Sequence, residues 1–171
     1  HIQATTDQLT GIYNRRVIFE ALDEAMDNSK KSKDRDFSII IFDIDFFKKV
    51  NDTYGHAGGD AVLISFAQLL QTEISSPNIV GRIGGEEFLA ILYLSKDQAV
   101  EFCKKLIKKI NKNVVNFDGI DIKITSSGGV AFSNETETSA DLTNKADERL
   151  YEAKKEGRNR FKLIDIELLG D

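Results

Sequence analysis

The chain has 171 residues, 41% hydrophobic and 30% charged, the size and balance of one compact domain with its own core. A formal net charge of -5 argues against a polymeric nucleic-acid binder, and a single cysteine, Cys103, excludes a disulfide framework or a cysteine metal site. No run approaches the ~20 apolar residues of a membrane span and the start lacks a secretory pattern, so no membrane insertion by this domain is expected.

The chain opens on His1 rather than Met and meets its first motif within a few residues, as expected of one domain, 1–171, cut from a longer regulated protein. Ile18, Ala21, Leu22 and Ala25 recur at helical spacing and predict an amphipathic helix from near Tyr13, ending before the polar run 28–36, read as a loop. Phe37 to Phe42 is a short apolar, β-branched run, the pattern of a buried central strand that delivers Asp43 at its end. Phe46, Phe47 and Lys48 open a short helix whose free N–H groups suit phosphate oxygens. After the glycine-rich stretch Gly55 to Gly59, Ala61 to Ile74 predicts a long helix, apolar on more than one side.

Pro77 and Asn78 break the chain, and 79–83 and 88–94 read as strands of a hairpin around Gly84-Gly85-Glu86-Glu87. Val100, Cys103, Leu106, Ile107 and Ile110 predict a third helix, with Cys103 as a buried hydrophobe and Lys104, Lys105, Lys108, Lys109 and Lys112 on a solvated face. Strand material spans 120–132, interrupted by Gly128 and Gly129; a last helix covers 140–156 and a short strand 161–164. The order of elements is mixed rather than a repeated βαβ unit. It predicts an α+β fold with a mixed, largely antiparallel central sheet covered by helices.

Asp43 and Asp45 stand two apart, so along a strand both would face one way and could share a cation; the same spacing also describes ordinary acids at a strand end. Glu86 and Glu87 follow two glycines, which permit positive φ and close approach of phosphates to the backbone. If the two strands are neighbours, both acidic pairs meet in an oxygen-lined site suited to magnesium. Lys154 and Arg158, four apart near the end of the last helix, can add positive charge for phosphates or complement the helix dipole, with Gly157 as cap.

Four segments carry a specific resemblance: Asp7-Gln8-Leu9-Thr10-Gly11 with Asn14-Arg15-Arg16; the run from Asp43 to Asp52 continued through Gly55-His56 to Gly59-Asp60; Arg82-Ile83-Gly84-Gly85-Glu86-Glu87-Phe88; and Ala153 to Arg160. The chain resembles the GGDEF family of diguanylate cyclases over Asp7 to Arg160, with the signature turn spelled GGEEF. That resemblance implies a fold like the palm of nucleotidyl cyclases and polymerases, GTP as substrate, cyclic di-GMP as product and pyrophosphate as the leaving group. It implies a homodimer, an upstream regulatory domain, a cytoplasmic site of action even where the full-length protein is membrane-anchored, and two Mg2+ ions per active site, with Mn2+ as a substitute. It assigns metal binding to Asp43, the carbonyl of Ile44 and Glu86, with Glu87 beside them and both glutamates as catalytic candidates. Guanine falls to Asn51 and Asp60, and phosphates to Phe46, Phe47, Lys48, Lys154 and Arg158. A carboxylate can accept from both N1 and N2 of guanine, a donor pair that adenine lacks.

Where many members carry an Arg-x-x-Asp inhibitory site for the product, this chain reads Ser75-Ser76-Pro77-Asn78, so no such site is expected. His56 is read as a structural histidine, because magnesium prefers oxygen ligands. The alternative to catalysis is a silent GTP-binding or dimerisation module; the intact Asp43, Asn51, Asp60, Glu86 and Glu87 speak for the enzyme.

Overall fold

The structure, a computed structural model, describes residues 4–171. Helix α1 (Arg15–Lys31) starts where the Asn14 side chain accepts from Val17 N–H, and buries Ile18, Leu22, Ala25 and Met26. It runs farther into the polar segment than the hydrophobic stripe predicts, because Lys30 and Lys31 in its last turn complement the helix dipole. A 3-10 turn (Lys33–Arg35) then leads into β1 (Ser38–Ile44), which is buried along its whole length.

Helix α2 (Phe47–Glu73) joins two segments that the sequence suggested were separate. The break is confined to Gly55 at φ 75° and ψ 174°, a conformation that favours glycine, while Gly58 and Gly59 are helical and buried. Strands β2 (Ile79–Arg82) and β3 (Glu87–Leu92) form the expected hairpin. Helix α3 (Lys96–Lys112) opens on a capping box between Ser95 and Gln98. It buries Cys103, whose thiol is pushed by burial up to about 12, and exposes its lysines, of which Lys104 and Lys109 pair with Glu101 and Glu73.

The next stretch corrects the sequence reading. Instead of one interrupted strand, β4 (Val115–Phe117) and β5 (Ile120–Ile122) make a separate small hairpin. Its turn is Asp118-Gly119, both at positive φ, the primed geometry that suits a two-residue hairpin. Strand β6 (Ser126–Phe132) then passes through Gly128 and Gly129 without a break. Helix α4 (Ser139–Lys155) is followed by β7 (Arg160–Lys162) and by β8 (Glu167–Leu169), the latter with no sequence signal strong enough to predict it.

The main sheet has the order β2-β3-β1-β6-β7-β8, with every pairing antiparallel except β6 with β7. It is the mixed, largely antiparallel α+β architecture expected. One face packs Ile40, Phe42 and Phe88 under α2 and α3, with Phe42 edge-on to Phe161 at 5.5 Å. The other face packs Ile39, Ile41, Leu89 and Ile91 under α1 and α4. No described helix is long and apolar enough to cross a membrane.

Glycine at 129 is what lets α4 lie this close: a Cβ there would stand 1.9 Å from the Ala146 carbonyl oxygen and 2.5 Å from Leu150 N. Both obstacles are helix backbone and cannot rotate away. Gly129→Ala is therefore expected to lower unfolding stability by about 3 kcal/mol, at the upper end of ordinary overpacking, as read by urea denaturation.

Candidate active site

The strand pairing brings the two acidic segments together. Asp43, the penultimate residue of β1, lies opposite Glu87, the first of β3, and the N–H of Ile44 donates to the Glu86 carbonyl at 3.3 Å. Asp43 is 4% exposed and ion-paired with Lys154 from α4. Burial pushes its carboxyl above the ordinary value, only partly opposed by the Lys154 ammonium. Burial, and then repulsion from Asp43, likewise raises the carboxyls of Glu86 and Glu87.

The signature turn differs from its sequence reading in one respect. Neither Gly84 nor Gly85 adopts positive φ; what glycine provides at Gly85 is open space, with nothing within 4 Å of a Cβ placed there. The turn is held instead from below. Arg82 donates from Nε and Nη2 to the Gly85 carbonyl at 3.0 and 2.8 Å, and pairs through Nη1 with Asp7 at 3.1 Å. Arg15 caps the neighbouring Ile83 carbonyl at 2.6 Å. Burial disfavours the ionised Asp7, but the Thr10 hydroxyl and N–H together with Arg82 outweigh it and hold the carboxyl below its ordinary value. The N-terminal motif is thus clamped directly to the turn that carries Glu86.

A groove of about 440 Å3 runs along this edge, lined by Asp43, Ile44, Phe46, Phe47, Lys48, Glu86, Lys154 and Arg158. At its floor α2 begins at Phe47 after Phe46, and no side chain caps the helix, so its first N–H groups are left for an anion. The Arg158 guanidinium lies 4.6 Å from the centre of the exposed Phe46 ring.

Asn51 and Asp60 are not among the residues lining this groove; they stand on either side of the Gly55 break. Asn51 presses on the backbone just before Asp60, for a Cβ on Gly59 would be 1.8 Å from Asn51 Oδ1. Asp60 is exposed. His56 is also exposed and lies within α2, so it is not a core histidine.

Asp45 departs most from expectation. Strand β1 ends at Ile44, yet Asp45 still lies beside Asp43 as the spacing predicts, close enough that, after burial, its charge also pushes the Asp43 carboxyl up; what differs is how its own oxygens are used. Its carboxylate accepts from Thr125 Oγ1 at 2.6 Å, Ser127 Oγ at 2.6 Å and Asn159 N–H at 3.0 Å. Those three bonds tie the carboxylate to donors within the fold.

No group of three or more His, Cys, Asp or Glu side chains among the described residues is gathered closely enough to hold a metal ion. The donor chemistry nevertheless suits a hard cation: Asp43, Glu86 and Glu87 are partly desolvated acids, and Lys154 is the cation paired with one of them.

Comparison with known proteins gives the same answer from a different direction. Residues 4–160 match the family model described as diguanylate cyclase, GGDEF domain. Diguanylate cyclase A of Treponema denticola is 37% identical over 163 residues, covering 93% of this chain and 44% of that protein. Diguanylate cyclase DgcS of Shewanella oneidensis is 35% identical over 167 residues, covering 98% of this chain and 55% of that protein. The chain thus spans about half the length of these curated relatives. The crystal structure of the GGDEF domain of DgcB from Caulobacter crescentus in complex with c-di-GMP superposes with a TM-score of 0.89 at 29% identity, over 97% of this chain and 96% of that one. With a family model matched over 4–160 and the fold shared, this chain belongs to the GGDEF domain family of the diguanylate cyclases.

Proposed function

We propose that this domain condenses two GTP molecules into cyclic di-GMP, releasing two pyrophosphates, with one GTP held by each half of a homodimer. The observation that carries the reading is the meeting of Asp43, near the end of β1, with Glu86 in the turn just before β3, beside an uncapped helix start, Lys154 and Arg158. Asn51 and Asp60 take the guanine edge, Asp60 accepting from N1 and N2. Backbone N–H groups at Phe46, Phe47 and Lys48 take triphosphate oxygens, and Lys154 and Arg158 neutralise their charge. Asp43, the Ile44 carbonyl and Glu86 are the residues that would hold magnesium, with Glu87 adjoining. When bound, magnesium supplies charge neutralisation at the triphosphate.

The 3′-hydroxyl of one GTP attacks the α-phosphorus of the other, so the two halves must face each other. Glu86, or Glu87 beside it, would accept the hydroxyl proton; burial pushes both carboxyls up, which favours such a base. Nucleotide choice tests the guanine assignment. GTP should be consumed and ATP left intact, whereas equal turnover of both would remove Asp60 from the reading.

At the position of the family's inhibitory site, Ser75, Ser76 and Asn78 line a hollow of about 380 Å3 that contains no charged side chain. Nothing there offers a guanidinium to the phosphates of the product. Adding cyclic di-GMP to the turnover assay is therefore expected to leave the initial rate unchanged where product competes poorly with GTP. Strong noncompetitive inhibition would show a product site that this segment does not provide.

A further inference from the structure

We propose that Asp45 is a positioning residue that sets Arg158 against the phosphate end of the groove. The inference rests on the assignment of Arg158 to phosphate given above. Asp45 is 3% exposed; its Oδ2 accepts from both the Thr125 hydroxyl and the Asn159 N–H, and its Oδ1 from the Ser127 hydroxyl. Its own N–H donates to the Thr125 carbonyl at 2.9 Å, so the residue is fixed at both backbone and side chain.

What it holds is unusual backbone. Phe46, the next residue, has φ 55°, while Arg158 and Asn159 have φ 62° and 50°. Residues other than glycine occupy this region only where their surroundings hold them there. The two partners of the Arg158–Phe46 stack therefore both sit in strained conformations, one joined to Asp45 through the chain and the other through the Asn159 amide. Asn159 is further tied to α3 by reciprocal amide bonds with Asn111 at 2.9 and 3.2 Å, which involve no residue of β1. Asp45 is the group that registers the 157–159 turn to the end of β1, and hence Arg158 to the helix start that receives the triphosphate. A desolvated carboxylate filled by three donors is suited to such a fixed role and unsuited to exchanging ligands with a metal.

The test is a double-mutant cycle on binding, independent of turnover. Guanosine 5′-(α,β-methylene)triphosphate is titrated calorimetrically with saturating Mg2+ into the wild-type chain, Asp45→Asn, Arg158→Ala and the double variant. Arg158→Ala should weaken binding about 30-fold and Asp45→Asn about tenfold, with the double variant within about twofold of Arg158→Ala alone. The Mg2+ concentration giving half-maximal binding should stay within about twofold of wild type in Asp45→Asn. Thr125→Val, which removes one of the three donors, should move affinity the same way by about threefold, and serves if Asp45→Asn does not fold.

Additive losses would overturn the positioning role while leaving Arg158 as a phosphate ligand. A tenfold or larger rise in the Mg2+ requirement with nucleotide affinity otherwise intact would make Asp45 a cation ligand instead. Unchanged affinity in Arg158→Ala would remove the phosphate assignment, and the proposal with it.

Discussion

Replacing Glu86 with Gln is expected to lower cyclic di-GMP formation by about a thousandfold, through loss of a proton acceptor and an anionic oxygen at one step. The substitution keeps shape and volume, and the backbone bond from Ile44 N–H to the residue-86 carbonyl is untouched. Stability should not suffer. Burial and the neighbouring Asp43 raise the Glu86 carboxyl, so the native state holds that proton more tightly than the unfolded chain does. A raised carboxyl contributes stability at low pH that is lost as pH rises through its native value, so at neutral pH the ionised Glu86 is a burden that Gln removes. Mass spectrometry of the product, run beside a thermal melt, checks both halves. Activity within tenfold of wild type would take Glu86 out of the chemistry, and a large drop in Tm would make the loss uninformative about mechanism.

The largest effect on stability is expected away from the groove, at the pair of Arg149 from α4 and Glu135 after β6. Arg149 is 7% exposed; it donates to Glu135 Oε2 and to the Val130 carbonyl, both at 2.8 Å, and Glu135 Oε2 also accepts from Phe132 N–H at 2.8 Å. Truncating the acid strands a buried guanidinium, so Glu135→Ala should cost about 3–5 kcal/mol, against little for an exposed pair such as Lys48 with Asp52. Burial works to raise the Glu135 carboxyl, but Arg149 and the Phe132 N–H outweigh it and hold the group below the ordinary glutamate value. The sign follows: this contribution is complete above the unfolded value and disappears as pH falls through the depressed native one. Wild-type stability should therefore drop more steeply on acidification than that of Glu135→Gln, as urea unfolding at stepped pH would show. Parallel curves would mean that the pair contributes nothing pH-dependent.

Much of this architecture is written in local pattern. The apolar run at Phe37 to Phe42 marks β1, the stripe from Ile18 marks α1, and the two glycines before Glu86 mark the hairpin that brings the acids to β1. Asp118-Gly119 carries a hairpin-turn signal that the sequence reading passed over, and the β-branched run after it hid the change of sheet between Ile122 and Ser126. The three residues of β8 are too few to show a period. Interactions between distant positions leave no such trace. Asp7 with Arg82 and Glu135 with Arg149 are chosen by the fold, and no spacing rule announces them. Asp45 shows the limit of pattern most clearly: two-residue spacing sets it near Asp43, but only the fold reveals that its oxygens are taken by Thr125, Ser127 and Asn159.

The most direct measurement of the central claim is product formation by the chain itself. The domain, at high concentration and again as a fusion to a parallel coiled coil that forces dimers, is incubated with GTP and Mg2+ and analysed by mass spectrometry. The account predicts cyclic di-GMP and pyrophosphate from GTP, a higher rate in the forced dimer, and about a thousandfold less of this product in Glu86→Gln. Tight GTP binding with no cyclic di-GMP even in the forced dimer would contradict it and leave a nucleotide-binding module.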